Sequence, residues 1–229
     1  MQQKKPLLLS GQGNSRIKRN FFLILLTGFC FLFAVPVFSQ PEDQIVTYRI
    51  RVMGMNVGEL TVKQQTFGNE ILVEAVTDVE VKIIFTYRVK YLQNCHYRDG
   101  ALVNSHLQTV RNDKVNSDTK LTKTADGYLL EADGDSKLIH DSITYSGSLL
   151  YFTEPKQVSC MYIELNGEKN AVKCVEDHTY VVLDKKGREK NKYVYQDGVL
   201  ERAELKHTLA TIHVERCRQE MTTNTVYAE

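Results

Sequence analysis

The stretch ILVEAVTDVEVKIIFTYRVKY, residues 71–91, settles the fold class. Ile71, Val73, Ala75, Thr77, Val79, Val81, Ile83 and Phe85 alternate with Leu72, Glu74, Val76, Asp78, Glu80, Lys82 and Ile84, a series that is mostly polar. Tyr87, Val89 and Tyr91 then alternate with Arg88 and Lys90. Successive side chains on a strand point to opposite faces, so a period of two over this length describes a sheet with one packed face and one wet face. No stretch beyond residue 39 holds a 3.6-residue apolar stripe for more than two turns.

The pattern extends both ways. Upstream, Tyr48, Ile50 and Val52 alternate with Arg49 and Arg51. Apolar-alternating runs are separated by Gly68-Asn69, Asp99-Gly100, Asp126-Gly127, Gly134-Asp135, Asn166-Gly167, Lys186-Gly187 and Asp197-Gly198. Asn-Gly and Asp-Gly supply the positive φ that tight hairpin turns need. The expectation is an all-β antiparallel meander of roughly a dozen strands of about 5 to 12 residues. Strand twist forces such a meander to curl into a barrel or half-barrel, or to fold over as two sheets.

One segment breaks the rhythm. SITYSGSLLYFTEPK, residues 142–156, clusters Tyr145, Leu149, Leu150, Tyr151 and Phe152 before Pro155. It predicts a short helix or ordered plug near 146–153 that closes one end of the curled sheet, with long strands before it and shorter hairpins after it. An outer-membrane barrel shares the alternation but needs an apolar outer band about 25 Å tall. Glu74, Asp78, Glu80, Lys82, Arg88 and Lys90 occupy the corresponding face here, which argues against one.

The first 39 residues read as a cleavable export signal. Lys4, Lys5, Arg16, Lys18 and Arg19 precede an apolar run from Phe21 to Val35, and Pro36 leads into Val37-Phe38-Ser39. A positive flank, a short apolar stretch and a small residue form the secretory pattern, with cleavage after Ser39. An uncleaved anchor is the competing reading, since the 18 residues Phe21–Phe38 only just reach spanning length. Lipid attachment at Cys30 is disfavoured by the bulky Phe29 before it. Removal takes five of 29 basic residues and leaves 24 against 28 acidic, a net of −4. That balance gives no electrostatic case for nucleic acid or anionic lipid. Residues 40–229 form one domain, with residues 220–229 a frayed polar tail.

The hairpin YRIRVMGMNVGELTV, residues 48–62, resembles the opening of uncharacterised exported bacterial β-rich families of unknown function, through Tyr48, Gly54, Val57, Gly58 and Leu60. The resemblance implies an exported β-rich fold in the periplasm or cell envelope of a Gram-negative-type bacterium, and brings no catalytic residues. From the residues themselves, Gly54 and Gly58 mark a hairpin or bulge that turns the first strand into the second.

Candidate chemistry is sparse. His207 and His213 in HTLATIH, on a continuous strand, share a face about 20 Å apart, too far for one metal. His96 follows Cys95 directly and points to the opposite face, and His106, His140 and His178 have no chelating neighbour in sequence. Asp133-Gly134-Asp135 fails as a calcium loop because Lys137 falls on a ligand position, so it reads as a hairpin turn. Ser146-Gly147-Ser148 does not build a nucleophile elbow, and no phosphate-binding glycine motif occurs. No catalytic residue, metal site or cofactor is expected.

Four cysteines follow the signal: Cys95, Cys160, Cys174 and Cys217. A three-residue loop Asn166-Gly167-Glu168 sets Leu165 opposite Lys169, and the same register sets Cys160 opposite Cys174, in reach of a disulfide. A two-residue loop aligns Cys160 with Lys173 and leaves both as small buried hydrophobes. Two function classes remain. One is a non-catalytic carrier that holds an apolar small molecule inside the curl, with residues 145–152 as its gate; the other is a structural or interaction protein of the envelope that contacts a partner protein. An internal cavity favours the first, and a filled interior with an exposed apolar patch favours the second.

Overall fold

The computed structural model describes residues 42–82, 86–207 and 210–218. The expected export signal at 1–39 and the expected tail at 220–229 lie outside the described residues, as do Ile83 and Phe85 and the side chains of Val81 and Tyr87.

Alternation in residues 71–82 produces what it dictates: Val73 and Ala75 are buried while Glu74 and Asp78 face solvent. They belong to β3 (Glu70–Lys82), one of 14 strands. The first half of the chain also contains β1 (Glu42–Val52), β2 (Met55–Phe67), β4 (Thr86–Arg98), β5 (Ala101–Arg111), β6 (Lys114–Thr124), β7 (Gly127–Ala132) and β8 (Asp135–Ile139). After the plug come β9 (Cys160–Ile163), β10 (Glu168–Glu176), β11 (Thr179–Leu183), β12 (Glu189–Gln196), β13 (Val199–Lys206) and β14 (Thr211–Arg216). The strands of the first half reach 13 residues and those of the second stop at nine.

All pairs are antiparallel and the sheet is a meander with one long-range junction. The order runs from β8 down to β1, then from β14 down to β9, so β1 is flanked by β2 and β14. Tyr48 stands opposite Arg216, and Val52 opposite Ile212. β8 and β9 are the two free edges, and the curl stays open between them. On the outside, cross-strand charges meet in register: Asp78 opposite Lys90, and Glu80 opposite Arg88 with a 2.6 Å contact.

Tight turns account for the register. Met53-Gly54, Asp99-Gly100, Asp133-Gly134 and Asp197-Gly198 each place two consecutive residues at positive φ, the twist that matches flanking strands. The turn near residue 134 thus falls on Asp133-Gly134, with Asp135 already opening β8. Between Ile50 and Arg51 the β1–β2 register slips by one residue, placing a bulge at Val57 beside Gly58. Gly58 is required there: a Cβ would sit 2.1 Å from the backbone oxygen of Asp78 on β3.

The plug is a 3₁₀ turn at Gly147–Tyr151, with Ser148, Leu149 and Leu150 buried. Irregular backbone tolerates burial only when its polar groups find partners. Here tyrosines from the sheet supply them. Tyr195 donates to the Leu150 carbonyl at 2.9 Å, and Tyr48 approaches that of Tyr151 at 3.4 Å. The chain leading into the plug also laces the open seam: the Ile143 carbonyl accepts from Leu102 N–H on β5, and that of Tyr145 accepts from Tyr162 N–H on β9.

The expected disulfide is corrected. The β9–β10 loop has four residues, Glu164 to Gly167, so Ile163 faces Glu168 and Cys160 faces Ala171, three positions short of Cys174. Cys174 pairs instead with Tyr180 on β11. Both are free thiols; Cys160 is half-buried and Cys174 exposed, so neither is the fully buried hydrophobe of the alternative. HTLATIH is likewise not one strand: β13 ends at Lys206 and antiparallel β14 begins at Thr211.

Candidate functional site

Above the plug, the concave face of the sheet is not filled. A cavity of about 590 Å³ remains, within the range of small-molecule sites. Alternation puts Ile50 of β1, Leu60 of β2, Leu107 of β5, Ala203 of β13 and Val214 of β14 on its wall, and Leu150 of the plug joins them. Tyr48 and Val73 go instead to the packed core, while Val79 lines the cavity. Exposure grades the lining. Leu60, Gln93, Leu150, Glu164 and Leu200 are buried and form the inner end, whereas Val52, Leu165, Leu205, His207 and Ile212 are partly or fully exposed and form the mouth.

The inner end carries one group that the sequence reading missed. Glu164, in the β9–β10 loop, is 2% exposed and lines the cavity. Its Oε1 accepts from the Ser146 hydroxyl and, at 2.9 Å, from Ser148 N–H. Its Oε2 accepts from Gly147 N–H at 3.1 Å. Each oxygen thus accepts one backbone N–H, and Oε1 the serine hydroxyl as well. The Tyr97 hydroxyl contacts Ser146 and lies 2.7 Å from Ser148 Oγ, and the Cys95 thiol points at Oε1 from 3.8 Å. Among the described residues, Glu164 has no ion pair. A warning was present in the sequence: MYIEL, residues 161–165, sets one acid among apolar residues just past β9, whose Met161 and Tyr162 are both buried.

Burial and the Glu164 charge keep the neighbouring hydroxyl and thiol groups neutral. Burial raises the Cys95 thiol, and Glu164 raises it further. The same two causes lift Tyr97 well above its ordinary range, and Tyr193 is pushed up to about 12 by burial first. The inner end is therefore a set of neutral donors around one acceptor-only group.

The histidines stay apart. His96 meets Glu70 at 3.1 Å, His106 meets Asp118 at 2.7 Å, and His178 meets Glu154 at 3.0 Å, each a different carboxylate. Among the described residues, no group of three or more His, Cys, Asp or Glu side chains is placed to hold a metal ion, and no helix is long and apolar enough to cross a membrane.

Residues 48–217 match the sequence profile of a family described as a domain of unknown function, DUF6134. No curated protein matches the chain. Among solved structures, the chain is similar to a β-barrel-like protein of domain of unknown function DUF1849 from Brucella abortus, with a TM-score of 0.50. Identity is 7% over 78% of this chain and 96% of that one, so the likeness concerns the fold alone.

Proposed function

The chain belongs to the DUF6134 family, and from its interior we propose a non-catalytic binding or carrier module that holds one apolar small molecule inside the curled sheet. The observation that carries this reading is the 590 Å³ cavity with an almost wholly aliphatic and aromatic wall. Well-packed interiors do not leave a space of that size, and an apolar cavity of such dimensions is suited to hold apolar matter. The export signal expected in residues 1–39 favours a cell-envelope role, where acyl chains and other water-insoluble molecules need a protein to cross aqueous space.

Native mass spectrometry of residues 40–229, purified from the periplasm of an expression host, tests the proposal. A retained apolar adduct supports it and identifies the ligand class. A clean apo mass after exposure to envelope lipid extract overturns it in favour of an interaction module. Ala203→Phe provides the control. Ala203 is 3% exposed on the cavity wall, so a phenyl ring there occupies ligand space. The variant is expected to fold and to lose at least tenfold in adduct retention.

A further inference from the structure

We infer that the cavity selects an amphiphile whose head group donates hydrogen bonds, an alkylammonium above all, and seats that head at the inner end against Glu164. The inference rests on the reading of the domain as an apolar-ligand module and specifies the ligand's polar end.

Glu164 is the group that decides polarity. It lies at the buried end of an apolar cavity, with two backbone N–H groups and a serine hydroxyl aimed at it. Those donors fix its position, but none carries charge. A carboxylate in apolar surroundings is stabilised strongly by an opposite charge brought within contact, and opposed by a like one. Among the described residues, the cavity lining holds no lysine or arginine, and its basic residue His207 is at the exposed mouth. Oε2 accepts a single hydrogen bond, from Gly147, and so retains acceptor capacity. Gln93, 4% exposed, accepts from the Tyr91 hydroxyl at 3.3 Å and turns its amide N–H to the Cys95 sulfur at 3.4 Å. A fatty-acid carboxylate or a phosphate ester driven head-first to this end meets a like charge and no counter-ion. An ammonium head meets a fixed counter-charge, while its alkyl chain lies along Leu60, Leu107 and Ala203.

Three probes of equal chain length separate the alternatives: dodecylammonium, dodecanol and dodecanoate. Each is titrated calorimetrically, below its micellar concentration and at neutral pH, into the processed chain purified from the host periplasm. Dodecylammonium is expected to bind at least tenfold more tightly than dodecanoate, with dodecanol between them. Dodecanoate binding as tightly as the amine, or more tightly, overturns the inference and leaves the binding-module reading standing. Failure of all three to bind overturns both. In Glu164→Gln the amine is expected to lose about tenfold while dodecanol changes little; an undiminished preference for the amine in a folded variant refutes the placement of the head. Should that variant not fold, the ranking on the native chain decides.

Discussion

Replacing Tyr195 by phenylalanine removes one hydroxyl and nothing else from the junction of sheet and plug. That hydroxyl donates to the Leu150 carbonyl at 2.9 Å, and both residues are almost fully buried. The phenyl ring keeps its edge-to-face contact with Tyr180 at 5.7 Å, so packing is retained. What remains is a carbonyl in a dry 3₁₀ turn without its donor. An orphaned buried acceptor costs about 1–3 kcal/mol. For a domain of this size each kcal/mol lowers the melting temperature by roughly 2–4 °C, so a central cost of about 2 kcal/mol predicts a fall of about 4–8 °C. Tyr48→Phe is the internal comparison. Its hydroxyl approaches the Tyr151 carbonyl only at 3.4 Å, beyond the usual range, and the loss is expected to stay below about 0.5 kcal/mol. Thermal melts followed by circular dichroism, with urea midpoints at unchanged slope, measure both. A Tyr195→Phe variant melting within about 1 °C of the parent refutes the account of the plug as irregular backbone held by sheet tyrosines.

Alkali is expected to destabilise the fold from the pH at which free tyrosines ionise. Tyr48, Tyr97, Tyr145 and Tyr195 are all raised above the ordinary 10.0, chiefly by burial. A group raised in the folded state contributes stability that is complete below its unfolded value and is lost as pH rises above it, so urea midpoints should hold up to about pH 10 and then fall steeply. Tyrosinate absorbance should lag and then jump with unfolding. Gly58→Ala is expected to cost about 3 kcal/mol or more, because its Cβ strikes the β3 backbone, whereas Gly54→Ala, in open space at φ +80°, should cost only about 1–2 kcal/mol; paired denaturation curves show the order. A thiol reagent applied to the native chain should label exposed Cys174 first and Cys160 and Cys217 more slowly. Cys95, 3% exposed, should react only on unfolding, and a mass consistent with a 160–174 bridge would contradict the observed register.

The sheet was legible because alternation is a local property. Residues 71–82 and 48–52 declared their inward faces, and Asp99-Gly100 or Asp197-Gly198 declared their turns through φ. Asn112-Asp113 makes the same kind of turn with both residues at positive φ but without glycine, and so gave weaker notice. The plug was visible as a break in rhythm. The site was not, because its parts come together only in three dimensions: Glu164 meets donors 16 to 18 residues earlier in the chain, and the cavity is a property of how far the sheet curls. The cysteine pairing failed because the loop is one residue longer than expected and begins two positions earlier, at Glu164, which moves each partner by three positions. A hairpin of four loop residues in place of three shifts the register, and with it every cross-strand pair below the loop.

The position of β1 also governs when the protein becomes itself. Its two sheet neighbours are the next strand in the chain and the last one, with Arg51 facing His213 across 162 residues of sequence and the Cys217 N–H closing onto Thr47 at 2.8 Å. A chain that has produced only β1 to β8 is thus a ribbon with an unclaimed apolar flank, unable to enclose anything until its final segment arrives. Such late, distant pairing makes for slow folding and a long interval in which the ribbon can zip onto a wrong neighbour. The container and the barrier to making it therefore have the same origin, and shortening the chain by its last strand should abolish the vessel as a whole and not merely trim its rim.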